Sequence, residues 1–321
     1  MKFKKAIFAM AGLLLSATAS AQSWPSRTIT LIVPFPAGGG TDAFARPLAA
    51  QLSKQLGKQV LIDNRGGAGG TLGAGIAAKA TPDGYTFFIG AAHHAIAPAI
   101  YPKLEYDIQK DFIPITVIAT PPQVIVVNAQ KVPAKDLKSF LELVRKNPGK
   151  LNYGSAGNGT SHHLAGELFK QQTKTFITHI PYRGAGPALQ DLIAGQVDLM
   201  FDGLGSSSSH IKGGRIRALA VASPTRAPGF PDVPTTAEAG VPGYEVSTWY
   251  GMWATKGTPA DIVERMGAEV QKALASPELK AIWHNSGSEV PQMTQAQFTT
   301  MIASEISRWG QVVKSSGVKM E

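Results

Sequence analysis

None of the 321 residues is cysteine, which excludes disulfides, thiolate metal sites, a cysteine nucleophile and a lipidated N-terminal cysteine. Also missing is any uncharged, unbroken apolar stretch of roughly 20 residues, the length that crosses a bilayer. The one apolar run near the start, Ala6 to about Leu15, is too short for that. Lys2, Lys4 and Lys5 lie before or at its edge, and the small residues Ala19, Ser20 and Ala21 follow it. That order is the order of a secretory signal peptide, expected to occupy residues 1 to 21 and to be cut before Gln22. The expected mature protein is exported to the periplasm with nothing tethering it to a membrane.

Basic residues are in excess but do not cluster. The formal charge is +9, and residues 1 to 21 hold three lysines and no acid, so the mature chain carries 9 − 3 = +6. These bases are scattered through segments such as Asp136 to Lys146 and are not interleaved with aromatics. Such a surface argues against a nucleic-acid partner and is compatible with an anionic small molecule. Nucleotide signatures are missing as well. The glycines at Gly38, Gly39 and Gly40 are not followed by Lys-Ser or Lys-Thr, and no G-x-G-x-x-G spacing occurs there. No HExxH marks a metal site, and Gly154-Ser155-Ala156-Gly157 is not a G-x-S-x-G nucleophile elbow. The expectation is therefore no catalytic residue, no metal and no cofactor.

What the chain does contain is an alternation of short β-rich runs and helical stretches, with glycines at several junctions. Strands are expected at Thr28 to Val33, Gln59 to Asp63 and Gly84 to Gly90, with a helix from Asp42 to Leu56 ended by Gly57. After Pro121 and Pro122 comes the apolar strand Gln123 to Asn128, then a helix ending at Lys146. A second alternation follows, with strands at Leu151 to Gly154, Phe176 to Tyr182, Val197 to Phe201 and Ile216 to Ala222. Residues 223 to 243 read as a connecting segment, and Tyr244 to Ala254 as an aromatic-rich strand. Only helices follow, so this last block should pack back on one of two sheets. The fold class is α/β, with two Rossmann-like lobes around a cleft and two crossover strands. Lobe 1 is expected to hold residues 22–124 plus 246–321, and lobe 2 residues 125–245.

Two loops carry the chemistry. Phe35, Ala37, Gly38, Gly39, Gly40, Thr41 and Asp42 join a strand to a helix start in the first lobe. Ser155, Gly157, Asn158, Gly159, Thr160 and Ser161 do the same in the second. Glycine lets backbone N–H groups approach a ligand, and a helix N-terminus carries a positive partial charge, so each loop suits an anion. If both sheets aim their strand C-termini at the cleft, the two helix starts meet on one small anionic molecule. His93 and His94 are adjacent, as are His162 and His163, and they read as hydrogen-bonding groups to loop backbone or ligand. His163 and Glu167, at i and i+4, are the pair that a rival reading, an extracytoplasmic transferase or hydrolase, would use as acid and base. Trp249 and Trp253 share one strand face, where core packing is the default and a stacking wall for a flat ligand the alternative.

The chain resembles the Bug family of periplasmic solute receptors, which includes the TctC component of tripartite tricarboxylate transporters. The resemblance is carried by Val33-Pro34-Phe35-Pro36-Ala37-Gly38-Gly39, Asp63-Asn64-Arg65, Pro82-Asp83-Gly84-Tyr85-Thr86, His94-Ala95, Gly157-Asn158-Gly159-Thr160 with His163-Leu164-Ala165-Gly166-Glu167-Leu168, Met200-Phe201-Asp202 and Pro231-Asp232-Val233-Pro234-Thr235. It implies a two-lobed type II periplasmic-binding fold that holds a ligand carboxylate at the two loops, with His94, His163, Tyr182 and Asp202 binding or supporting. It also implies that the protein acts as a monomer and delivers its ligand to the membrane components of a tripartite tricarboxylate-type transporter. A mono- or dicarboxylate is the implied ligand, with an aromatic dicarboxylate such as terephthalate as the specific candidate and a ligand-sensing receptor for a signalling partner as the rival role. The chain departs from the family at Gly66, Ala97 and the glycine- and serine-rich run Gly203 to Ser209, which reads as a loop approaching the cleft.

Overall fold

The fold follows from strands that are apolar on both faces. In a computed structural model, which describes residues 24–316, β1 (Ile29–Val33) turns Ile29, Leu31 and Val33 to one face and Ile32 to the other, and both faces are covered. The expected signal peptide lies outside the described residues. The first sheet runs in the order β2 (Val60–Asn64), β1, β3 (Thr86–Ala91), β10 (Tyr250–Thr255), β4 (Phe112–Ala119). β2 and β3 pair with β1 in parallel, and β10 lies antiparallel between β3 and β4. The second sheet repeats the plan: β7 (Thr178–Pro181), β6 (Asn152–Ser155), β8 (Leu199–Gly203), β5 (Gln123–Asn128), β9 (Ile216–Val221). Here β5 is the antiparallel strand, between β8 and β9.

Helices cover both faces of each sheet. On the first, α1 (Gly40–Leu56), α8 (Ala260–Leu274) and α9 (Pro277–Asn285) pack over Leu31, Phe87 and Met252. The opposite face takes α2 (Thr71–Ala78), α3 (His93–Ile100) and α10 (Gln295–Ser316), over Ile32, Phe88, Trp249 and Trp253. The second sheet lies between α4 (Leu137–Lys146) and α5 (Ser161–Thr173) on one side, and α6 (Ala185–Ile193) and α7 (Leu204–Lys212) on the other. The terminal helices therefore do return to the first sheet, as their lack of strands requires. Among the described residues no helix is long and apolar enough to cross a membrane.

Each sheet receives its antiparallel strand from a chain arriving out of the other lobe, and this defines the hinge. The β4-to-β5 crossing passes through Pro121 and Pro122, and the return crossing passes Val246 to Thr248. The two crossings bind each other: Gln123 N donates to Val246 O at 3.0 Å, Thr248 N donates to Pro121 O at 3.3 Å, and Pro122 and Ser247 form an antiparallel bridge. The two crossings are thereby tied to each other where the chain passes between the lobes.

Three departures from the sequence reading have physical causes. The return strand begins at Tyr250 and not at Tyr244, because Tyr244 belongs to the core of the second lobe, where its hydroxyl donates to Ala165 O at 2.9 Å. Helix α3 escapes the sequence reading because it is only eight residues long and Pro98 sits inside it. Gly203 to Ser209 is not a loop but the start of α7, with Leu204 to Ser208 buried. The serine hydroxyls that would favour a loop are consumed locally: Ser206 and Ser207 donate to the Asp202 carboxylate, and Ser208 donates to Gly205 O.

Candidate functional site

Four strand-to-helix junctions, two from each lobe, face one another across the cleft. β1 leads to α1, β3 to α3, β6 to α5 and β7 to α6. The cavity between them is lined by Phe35, Gly39, Gly40, Thr41, Ala91 and His93 of the first lobe, and by Ala156, Thr160, Ser161, His162 and Ala185 of the second, with Thr248 and Tyr250 from the return crossing. The sequence pointed to two helix starts, and the structure supplies two more, Ala91-to-His93 and Ala185. In none of the four does a side chain accept from the first-turn N–H groups, and no lysine or arginine lines the cavity. Helices α2, α7 and α8 also start without such a cap, so it is the convergence that singles out this place. An anion here is met by oriented backbone donors and helix dipoles in place of a cation.

The lobes are in contact. Phe35 packs on Ala156 and Ala185 across the cleft, and Leu164 of α5 packs on Ile96, Ile100, Trp309 and Val313. A Cβ placed on Gly186 would lie 2.5 Å from Ala37 O, so only glycine lets α6 come this near to the first loop. The water-accessible space left between the lobes is about 30 Å³, room for about two water molecules. A bound molecule is therefore either compact or admitted by the lobes parting.

Of the residues selected from the sequence, Phe35, Gly39, Gly40, Thr41, Thr160 and Ser161 line this cavity. The others shape it from outside. Asp42 Oδ2 accepts from Gly38 N at 3.0 Å and from Arg46 Nε at 2.8 Å, and its Oδ1 accepts from Asn64 Nδ2 at 3.1 Å. It thus holds the Ala37 to Gly39 turn closed on α1. Asp42→Ala, which removes the carboxylate that Gly38 N, Arg46 and Asn64 share, is expected to lower stability by about 1 kcal/mol, read as a shift in urea midpoint. Ser155 Oγ lies 2.6 Å from His179 Nε2 and accepts from Gly157 N at 3.1 Å. Thr160 Oγ1 donates to Gly157 O at 2.7 Å, and Gly159 N donates to His163 Nδ1 at 3.1 Å. Asn158 O accepts from the Tyr101 hydroxyl of the first lobe at 3.1 Å, while Tyr182 turns away, donating to Asp191 at 2.7 Å.

In each adjacent histidine pair it is the first that reaches the cavity. His94 lies beneath His93, its Nδ1 2.9 Å from the Tyr106 hydroxyl. His163 stacks on His179 with ring centroids 4.2 Å apart, and Glu167 is taken by the Tyr153 hydroxyl and Lys170, so this acid–base pair does not line the cavity. Burial pushes His93 down to about 3, and the neighbouring His162 adds to the shift. Burial also lowers His162, against the upward pull of Asp202. Both rings are therefore neutral. Trp249 and Trp253 take the core option, packed with Phe298 of α10, whereas Tyr250 between them points the other way and into the cavity wall. Its hydroxyl lies so near Gly40 that a Cβ there would overlap it. Among the described residues no three His, Asp or Glu side chains stand together as a metal site requires.

His93, His162, Thr248 and Tyr250 were not selected from the sequence. The two histidines were visible there as members of pairs, but which ring points inward depends on the helix starting at that residue. Tyr250 was hidden by the tryptophans on either side.

Comparison with known proteins agrees with this geometry. Residues 44–318 match the model of the tripartite tricarboxylate transporter family receptor. Protein BugT of Bordetella pertussis is 36% identical over 309 residues, covering 96% of this chain and 94% of that protein. The structure of Rpa4515 of R. palustris with adipate superposes with a TM-score of 0.88 at 39% identity, covering 92% of this chain and 99% of the other. MatC of Rhodopseudomonas palustris with bound malate gives a TM-score of 0.84 at 38% identity, covering 90% of this chain and 100% of that one. With four helix starts around one cleft, the hinge of two paired crossings and a family match spanning most of its length, this chain belongs to the tripartite tricarboxylate transporter receptor family, the TctC and Bug solute-binding receptors.

Proposed function

We propose that this protein is a periplasmic receptor that closes its two lobes over one small organic mono- or dicarboxylate and presents it to the membrane components of a tripartite tricarboxylate-type transporter. The observation that carries the reading is the convergence of four helix starts on a cavity lined by no lysine or arginine. Such a ring of N–H donors stabilises a small anion without a cation, and a carboxylate is one such group. Two solved relatives hold carboxylates, adipate and malate. In this reading the signal peptide is removed on export, residues 22–124 and 246–321 move as one lobe against residues 125–245, and the protein works as a monomer without chemistry on its ligand. Phe35, Gly39, Gly40, Thr41, Thr160 and Ser161 meet the ligand, while Asp42, Ser155 and Gly157 keep the two loops in shape. The aromatic option, terephthalate, keeps Phe35 and Tyr250 as ring partners but not the tryptophans, which are spent in the core.

A thermal-shift screen of aliphatic and aromatic carboxylates tests the reading. A ligand at about 100 times its dissociation constant adds roughly 2.7 kcal/mol to folding stability, a rise of several degrees. A flat response across mono-, di- and tricarboxylates of both kinds overturns it.

A further inference from the structure

We infer that the site selects carboxylates bearing a hydrogen-bond donor beside the charged group, a hydroxy acid being the simplest class, and that His162 is the residue that reads this donor, with His93 facing it from the other lobe. The inference rests on the carboxylate reading above and refines it. Its starting point is a set of unsatisfied atoms. Among the described residues, His162 Nδ1, His93 Nε2 and Asp202 Oδ1 are buried without a hydrogen-bond partner, and both histidines line the cavity. Buried polar atoms without partners are rare in folded proteins, and His162 Nδ1, on a residue that lines the cavity, points to a partner that arrives with the ligand.

Geometry fixes what that partner must offer. His162 Nε2 lies 3.6 Å from Asp202 Oδ1, on a carboxylate whose other oxygen is already held by Ser206 and Ser207. Facing a carboxylate, Nε2 is the nitrogen that carries the proton of the neutral ring, as an imidazole is oriented by an acidic neighbour. Nδ1 is then a bare lone pair. A ligand carboxylate placed against it would meet a lone pair with Asp202 behind it, and gains nothing. A hydroxyl or N–H donates to it directly.

His93 completes the arrangement. It stands at the start of α3, edge-on to Phe35 at 4.7 Å between ring centroids, with His94 beneath it and no acid among its hydrogen-bond partners. Its Nε2 lies against Gly70, where a Cβ would come within 2.6 Å, so His93 borders the cleft and the hydroxyl is read by His162 Nδ1. The groups around the pair are Asp202 with its serines on β8 and α7, Tyr250 and Thr248 on the return crossing, Thr41 on α1 and Thr160 and Ser161 on α5. None is cationic. The helix starts take the carboxylate, and His162 takes the neighbouring donor.

Titration calorimetry on the mature protein with matched pairs tests this: malate against succinate, lactate against propionate, and 2-hydroxybenzoate against benzoate. The expected result is that, in at least one pair that binds, the hydroxylated member binds about 50-fold more tightly, since its deoxy partner leaves His162 Nδ1 buried and unpaired. His162→Phe should shrink that ratio to about threefold or less while the deoxy acid keeps its affinity, and His162→Gln, which offers an acceptor, should restore part of it. Asp202→Asn tests the positioning role: it should reduce the ratio without removing carboxylate binding. Equal affinities within every pair overturn the inference and leave the carboxylate reading standing. So does a preference that survives His162→Phe in a variant that melts like the parent. Binding of none of the six acids overturns the inference, and the wider thermal-shift screen then decides the carboxylate reading separately.

Discussion

Gly186→Ala is expected to weaken binding of a carboxylate by about 100-fold without lowering the melting temperature of the unliganded protein. The added methyl meets no atom of its own lobe among its nearest neighbours. All three are in the first loop of the other lobe: Ala37 O at 2.5 Å, Gly38 C at 3.3 Å and Gly39 N at 3.3 Å. Backbone cannot move aside as a side-chain tip does, so the closed arrangement bears an overpacking penalty of about 3 kcal/mol, which is about 100-fold in affinity. The open arrangement bears none, and within a helix alanine is favoured over glycine by up to about 1 kcal/mol. Affinity and stability should thus move in opposite directions. Titration with whichever carboxylate gives the largest thermal shift reads the first, and melting without ligand reads the second. Unchanged affinity would mean that Ala37 and Gly186 do not touch in the bound state, and that the contact seen here is not the functional closure. A lowered melting point with unchanged affinity would assign the glycine to the fold of α6 alone.

This separation of effects bears on what sequence can and cannot convey about such a protein. Most strands were legible because they are apolar runs bounded by glycine and proline: Gln123–Asn128 stands where the pattern put it, whereas Phe112–Ala119, interrupted by Pro114, was not foreseen. The two-lobed plan was legible from the alternation starting twice. The fourfold ring of helix starts was only half legible. Gly38 to Gly40 and Gly157 to Thr160 announce their loops, whereas Ala91 to His93 and Gly184 to Ala185 are short junctions that hold no run of glycines. Side-chain direction was not legible at all. His93 and His94 differ by about 100° of helical rotation, enough to place one in the cavity and the other against Tyr106. Asp42 was selected as part of the loop at the helix start, but Arg46, one turn further along α1, and Asn64 on β2 turn it into a strut. A helix spelled Leu204-Gly205-Ser206-Ser207-Ser208-Ser209 cannot be foreseen from propensity; it exists because Asp202 gathers its hydroxyls and the lobe covers them.

The same burial that keeps the cleft histidines neutral should make the protein acid-sensitive well above the pH at which carboxylates titrate. His93 is pushed down to about 3 and His94 well below its ordinary value, in both cases first by burial. In the unfolded chain each takes a proton near pH 6.5, so below that pH the unfolded state binds more protons than the folded one. Stability is then fully present above about pH 6.5 and declines as the pH falls toward about 3. At pH 5 each ring that stays neutral in the folded state costs about 2 kcal/mol, so the two together remove about 4 kcal/mol from a typical total of roughly 5–15 kcal/mol. Burial lowers His162 in the same sense, and His179, lowered to about 4, adds a smaller share because it is less enclosed. Urea midpoints at pH 7.5 and pH 5 measure the loss, and His93→Phe should flatten the slope by about a quarter to a third, whatever it does to the absolute stability. Bound carboxylate should reduce the loss only through its own binding energy, because the neutral rings are the binding-competent ones. A protein equally stable at both pH values would show that these histidines accept protons while folded. The cleft would then be cationic, and His162 Nδ1 would be a donor to the ligand's charge and not an acceptor of its hydroxyl.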